Sequence, residues 1–102
     1  MTDTHVIHGA GGTITIAPAV LAQIVAGSVA AVEGARMRRP RRALDVDLAD
    51  GRARVSLELG VRVGLVVPDV AHEVQRRVAE SLRTMCGLEA AVDVAVEEID
   101  GA

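Results

Sequence analysis

A chain of 102 residues, half of them apolar and a quarter charged, is long enough for one globular domain with one modest core. It has no Phe, Trp or Tyr, which excludes aromatic cages and the stacking platforms that usually hold single-stranded nucleic acid. It also has no Lys, which excludes Schiff-base chemistry and a P-loop.

The net charge of −3 is unevenly spread. Only Asp3 and Glu33 are charged before Arg36, five Arg crowd into residues 36–42, and the remainder is acidic. The single cysteine, Cys86, forbids an intrachain disulfide. No apolar run has the flanks of a signal peptide or the length of a membrane span, so a cytoplasmic protein is expected, touching membranes only peripherally or through a partner.

Residues 1–12 read as a flexible leader, Gly-rich and without periodicity. His5 and His8 lie three apart, but that glycine context does not support a rigid metal site. Thr13 to Ala17 is a short strand with Ile14 and Ile16 on one face. Pro18 suits a first helical position, and the spacing predicts a helix from Pro18 to Val32. Its buried stripe would be Val20, Leu21, Ile24, Val25, Val29 and Val32, with Gln23 and Gly27 outside and Gly34 as C-cap.

The stretch Arg36–Arg42 is the connection, interrupted by Pro40. Arg36, Arg38, Arg39, Arg41 and Arg42 are the candidate partner-binding residues, suited to phosphate, an anionic lipid surface or an acidic protein patch. The competing reading is a solvated loop that keeps an apolar protein soluble.

Ala43 to Ala49 alternates as a strand, and Asp50-Gly51 is a two-residue hairpin signal. That turn sets Ala49 opposite Arg52, Asp47 opposite Arg54, Val46 opposite Val55 and Leu44 opposite Leu57. The second strand continues through Leu59, Val61 and Val63, with one covered and one wet face.

A second helix runs from about Pro68 to Met85, closed by Gly87, with Val70, Val74, Val78, Leu82 and Met85 buried. Glu73–Arg77 and Glu80–Arg83 are its expected surface pairs. Val92, Val94 and Val96 form the last strand, followed by a solvated acidic end, Glu97, Glu98 and Asp100. The expected architecture is a two-layer α+β domain over residues 13–99 in the order β-α-β-β-α-β. An antiparallel hairpin and a crossover strand make the sheet, both helices pack on one of its faces, and 100–102 is a tail.

Catalytic motifs fail on their spacing. His72-Glu73 begins a zincin pattern, but Arg76 stands where the second His is needed. The Gly9–Gly12 run precedes a strand, whereas a dinucleotide loop must follow one. Cys86 at a helix C-terminus gains no thiolate stabilisation from the dipole. No catalytic, cofactor-binding or metal-binding residues are expected.

The order of these pieces resembles the alkaline shock protein family of bacteria, over about residues 12–99. The resemblance is carried by Gly12, Ile14 and Ile16; Val32 and Gly34; Val55, Leu57 and Leu59; Val74, Gln75 and Val78; Cys86-Gly87; and Val92, Val94 and Val96. The chain departs from the pattern at Cys86, where Thr is usual, before Gly64, where no aromatic stands, and in the Arg36–Arg42 run. The resemblance implies a non-enzymatic cytoplasmic protein of envelope stress and cell-wall homeostasis, which self-associates and binds a small membrane-anchored partner. The alternative is a small nucleic-acid-binding module using the Arg36–Arg42 loop. A KH-type clamp is absent, since no GxxG loop joins two helices, and the acidic remainder repels phosphate.

Overall fold

The computed structural model describes residues 5–9, 11–38, 44–49 and 51–101. In chain order the elements are β1 (His5–Gly9), β2 (Gly12–Ile16), α1 (Pro18–Ala30), β3 (Ala35–Met37), β4 (Leu44–Ala49), β5 (Arg52–Arg62), α2 (Val67–Cys86) and β6 (Glu89–Asp100). This is the expected α+β domain with two strands added. β1 falls inside the segment read as a leader, and β3 falls inside the basic connection. The domain also reaches Asp100, one residue into the expected tail.

Strands β1 and β2 form a two-stranded antiparallel sheet of their own. The main sheet is mixed and is organised by β5. β6 pairs with β5 in parallel along its whole length, as a strand returning after a helical crossover must. β4 pairs with Arg52–Leu57 and β3 with Leu59–Val61, both antiparallel. Because β6 fills one edge of β5, β3 and β4 lie end to end along the other.

The hairpin register is the one the turn spacing predicts. Leu44 faces Leu57, Val46 faces Val55, Asp47 faces Arg54 and Ala49 faces Arg52. Gly51 has φ +73, a value an L side chain rarely adopts, which explains the glycine after Asp50. Asp50 itself lies outside the described residues.

Ala53, Val55, Leu57, Leu59 and Val61 point from β5 into the core, beneath both helices. Leu21, Val25 and Val29 of α1 and Val70, Val74, Val78 and Leu82 of α2 fill it from above. Each such side chain contributes about 1.5–3 kcal/mol by leaving water. Ser28 is the one polar residue in this buried set. Its hydroxyl donates to the Ile24 carbonyl (2.9 Å) and shares a hydrogen bond with Ser81 Oγ (2.8 Å), tying the two helices together.

Two stripe expectations need correction. Met85 is 65% exposed and Cys86 is buried in its place. From Val70 the inward positions advance by four residues, through Val74, Val78 and Leu82, and the next step lands on Cys86. Val20 is likewise exposed, because α1 turns Leu21 and Val25 inward.

α1 also ends two residues early. Val32 N–H bonds to the Val29 carbonyl and Ala35 N–H to the Val32 carbonyl, tightening the chain into β3. Gly34 is therefore not the cap residue, which is Ala31. Its φ of +86 makes the turn into β3 instead. At the other helix Gly87 is the left-handed cap expected, with φ +70.

Candidate interaction surface

Arg36 and Arg38, two of the five candidate arginines, are described, and neither stands in open loop. Arg36 is the middle residue of β3, opposite Gly60 of β5, which in turn lies opposite Glu98 of β6. The three residues form one row on the uncovered face of the sheet. Arg36 reaches across the row, with Nε donating to Asp100 Oδ2 at 2.9 Å and Nη2 to Asp100 Oδ1 at 3.1 Å and Glu98 Oε1 at 2.8 Å. Gly60 makes this crossing possible. A Cβ there would sit 2.5 Å from Asp100 Oδ2 and 3.1 Å from Arg36 Nη2.

Arg38 extends the cluster. Its Nε lies 3.4 Å from Glu98 Oε1, and its Nη1 lies 3.9 Å from both Glu58 Oε1 and Glu97 Oε1. Its backbone N–H still bonds to the Glu58 carbonyl at 3.1 Å. Hydrogen bonding from Arg36 holds the Asp100 carboxyl below its ordinary pKa, and the same contact raises that of Arg36.

The acidic end of β6 reaches this face through a break in phase. Val92, Val94 and Val96 alternate inward, and without interruption Glu98 would follow them. The register shifts between Leu59 and Gly60, where Leu59 pairs with Val96 but Gly60 with Glu98. The extra residue, Glu97, turns Glu98 and Asp100 outward and sets Ile99, still half exposed, opposite Val61. The acidic end is therefore a set of counter-ions, not the freely solvated tail expected of it. Arg39, Arg41 and Arg42 lie outside the described residues, as does Pro40.

Two further ion pairs form among the exposed charges. Arg54 Nη1 lies 2.7 Å from Asp93 Oδ2, and Arg62 Nη2 lies 3.1 Å from Glu33 Oε2. On α2, Glu73 accepts from both Arg76 (2.7 Å) and Arg77 (2.8 Å), which lowers its pKa to about 2. Glu80 lies 3.9 Å from Arg76 rather than pairing with Arg83. Gln75, the polar residue of the V-Q-x-x-V pattern, donates from Nε2 to the Val92 carbonyl at 2.9 Å and ties α2 to β6.

A shallow concavity of about 420 Å³ lies between α2 and β6 and is lined by Arg76, Ala79, Glu80, Arg83, Leu88, Glu89 and Ala90. It brings two guanidinium and two carboxylate groups to an apolar floor, with no nucleophile beside a base. Sequence spacing alone did not reveal it, because its walls come from separate elements. Among the described residues, no group of His, Cys, Asp and Glu side chains could hold a metal ion. His72 is exposed on α2, and burial raises the pKa of the Cys86 thiol. Also among the described residues, no helix is long and apolar enough to cross a membrane.

Beside these charges, the large exposed apolar groups stand out. Val6, Ile14 and Val20 all fall in the uncharged stretch between Asp3 and Glu33. Val63, Val66, Met85 and Ile99 are exposed outside that stretch. The fold and its surface thus define a small α+β domain with a charge-laced open sheet face and a neutral, partly apolar N-terminal unit. Comparison with protein-family models, curated proteins and solved structures finds no match to this chain.

Proposed function

We propose that this chain is a non-enzymatic interaction protein of the alkaline shock protein type. It acts at the cytoplasmic side of the bacterial envelope by self-association and by binding a membrane-anchored partner. The observation that carries the reading is the division of the surface. Many of the charges on the sheet face and α2 pair with one another, while β1, β2 and α1 carry no charged side chain and leave Val6, Ile14 and Val20 exposed. A surface without charge of either sign presents no electrostatic repulsion to a second copy of itself.

The pairing of Arg36 and Arg38 with Glu97, Glu98 and Asp100 weighs against a nucleic-acid clamp. Phosphates would have to displace carboxylates already in place. An acidic protein patch or anionic lipid recruited by the rest of the run meets the same competition.

The test is a pull-down from the native cell with the intact chain and with Arg39, Arg41 and Arg42 replaced by Ser. The expected result is recovery of the chain with itself and with one membrane protein. Recovery of nucleic acid alone, or of no macromolecule, would overturn the reading.

A further inference from the structure

We infer that β2 is the edge through which two copies of this chain join, pairing antiparallel about Ile14. The inference rests on the self-association reading and adds its surface and register. Natural sheets protect exposed edges with charge, proline, bulges or a covering element. The main sheet uses such devices on both edges. β6 carries Asp93, Glu97, Glu98 and Asp100, contains a register shift, and receives Gln75 on its backbone. β4 carries Asp47, and Arg38 stands just beyond β3.

β2 has none of these. Its five residues, Gly-Thr-Ile-Thr-Ile, contain no charge and no proline. Its pairing with β1 runs without a shift from His5–Ile16 to Gly9–Gly12. Among the described residues no other strand pairs with it. Ile14 is 61% exposed, and Thr13 and Thr15 are exposed beside it. A hairpin of two strands is marginal alone in water and gains most from additional strands.

The occupant is a second copy because the edge is its own complement. Thr13-Ile14-Thr15 reads the same in both directions. Antiparallel pairing about a two-fold axis sets Ile14 against Ile14 of the second copy and Thr13 against Thr15 on both sides. These are favourable aliphatic and hydroxyl cross-strand pairs, and the two-fold contact closes as a dimer. A patch carrying charge of one sign would repel its own image, whereas no Asp, Glu, Lys or Arg stands between Asp3 and Glu33.

The test compares the full chain with Ile14→Lys and, as a control at an unrelated exposed apolar site, Met85→Lys, by sedimentation velocity over a wide concentration range. Ile14→Lys puts like charges directly opposite at the axis and should weaken the dimer at least roughly tenfold. Met85→Lys should leave it unchanged. Ile14→Cys should give a disulfide-linked dimer on mild oxidation, which wild type does not, because Cys86 is buried.

A wild-type chain that stays monomeric would overturn both the self-association reading and this surface. A dimer that survives Ile14→Lys, or that yields no cross-link through Ile14→Cys, would overturn the surface and leave self-association standing. Binding of a foreign strand in place of a second copy would appear as a monomeric wild type that forms a complex sensitive to Ile14→Lys, and would overturn the assignment of the occupant.

Discussion

Arg36 of β3 holds Asp100 of β6 in a two-pronged contact across the bare backbone of Gly60 in the strand between them. Two strand spacings, roughly 10 Å, separate the backbones of β3 and β6, a gap that a long side chain crosses here over a glycine. The contact ties the ends of the sheet together. It also turns part of a basic run, which the sequence presents as a binding patch, into an internal partner of the acidic strand end.

Gly60→Val should break that contact, because a branched side chain occupies the space of the Asp100 carboxylate and the Arg36 guanidinium. Carboxyl-detected NMR titration should show the Asp100 pKa rising toward its ordinary value, and Arg36→Gln should produce the same rise. A titration unchanged in both variants would mean that the pair does not form in solution.

Stability should depend on pH through Glu73. Its pKa is lowered from 4.5 to about 2 by Arg76 and Arg77, so the folded state favours the ionised form. That contribution is fully present above 4.5 and is lost as pH falls from 4.5 toward 2, through the folded-state pKa. Urea midpoints measured across this window should fall for wild type and fall less for Glu73→Gln. Parallel curves would contradict the pairing.

The phase of α2 separates two neighbouring residues. Leu82→Ala should cost about 2–5 kcal/mol, as a fully buried leucine does when it leaves a cavity. Met85→Ala should stay within about 0.5 kcal/mol, because Met85 lies in water. Denaturant unfolding of both variants decides the phase, and a large loss at Met85 would rotate the helix.

Gly34 joins α1 to β3 at φ +86, where a Cβ would overlap Leu65 Cδ1. Gly34→Val should cost roughly 1–3 kcal/mol from backbone strain, with Leu65 displaced in addition. Gly27→Ala, in open space on α1, should instead be neutral or mildly stabilising. Thermal melts of the two variants should move in opposite directions or diverge clearly.

Much of the fold is legible where spacing is strict. Asp50-Gly51 between two alternating runs fixed the β4–β5 register residue by residue, because a two-residue turn permits only one. Pro18 and Gly87 marked helix ends because each suits a backbone requirement there. β3 was hidden because three residues within an arginine run carry no period, and its pairing depends on β5 extending past β4. β1 was hidden by the glycines at and beyond its end, Gly9, Gly11 and Gly12. The alternation of Val92, Val94 and Val96 gave no sign of the phase change at Glu97. Only a sheet that places Arg36 and Arg38 beside that change turns an acidic end into counter-ions.

The most direct measurement of the central claim, that this chain works by presenting a surface to its own copies, is sedimentation velocity of the intact chain at rising concentration in low and high salt. A neutral contact at β2 predicts assemblies larger than a monomer that persist at high salt, since apolar and backbone contacts are not screened as charges are. A monomer at every concentration would contradict the claim, and an assembly that dissolves in salt would transfer it to the arginine run.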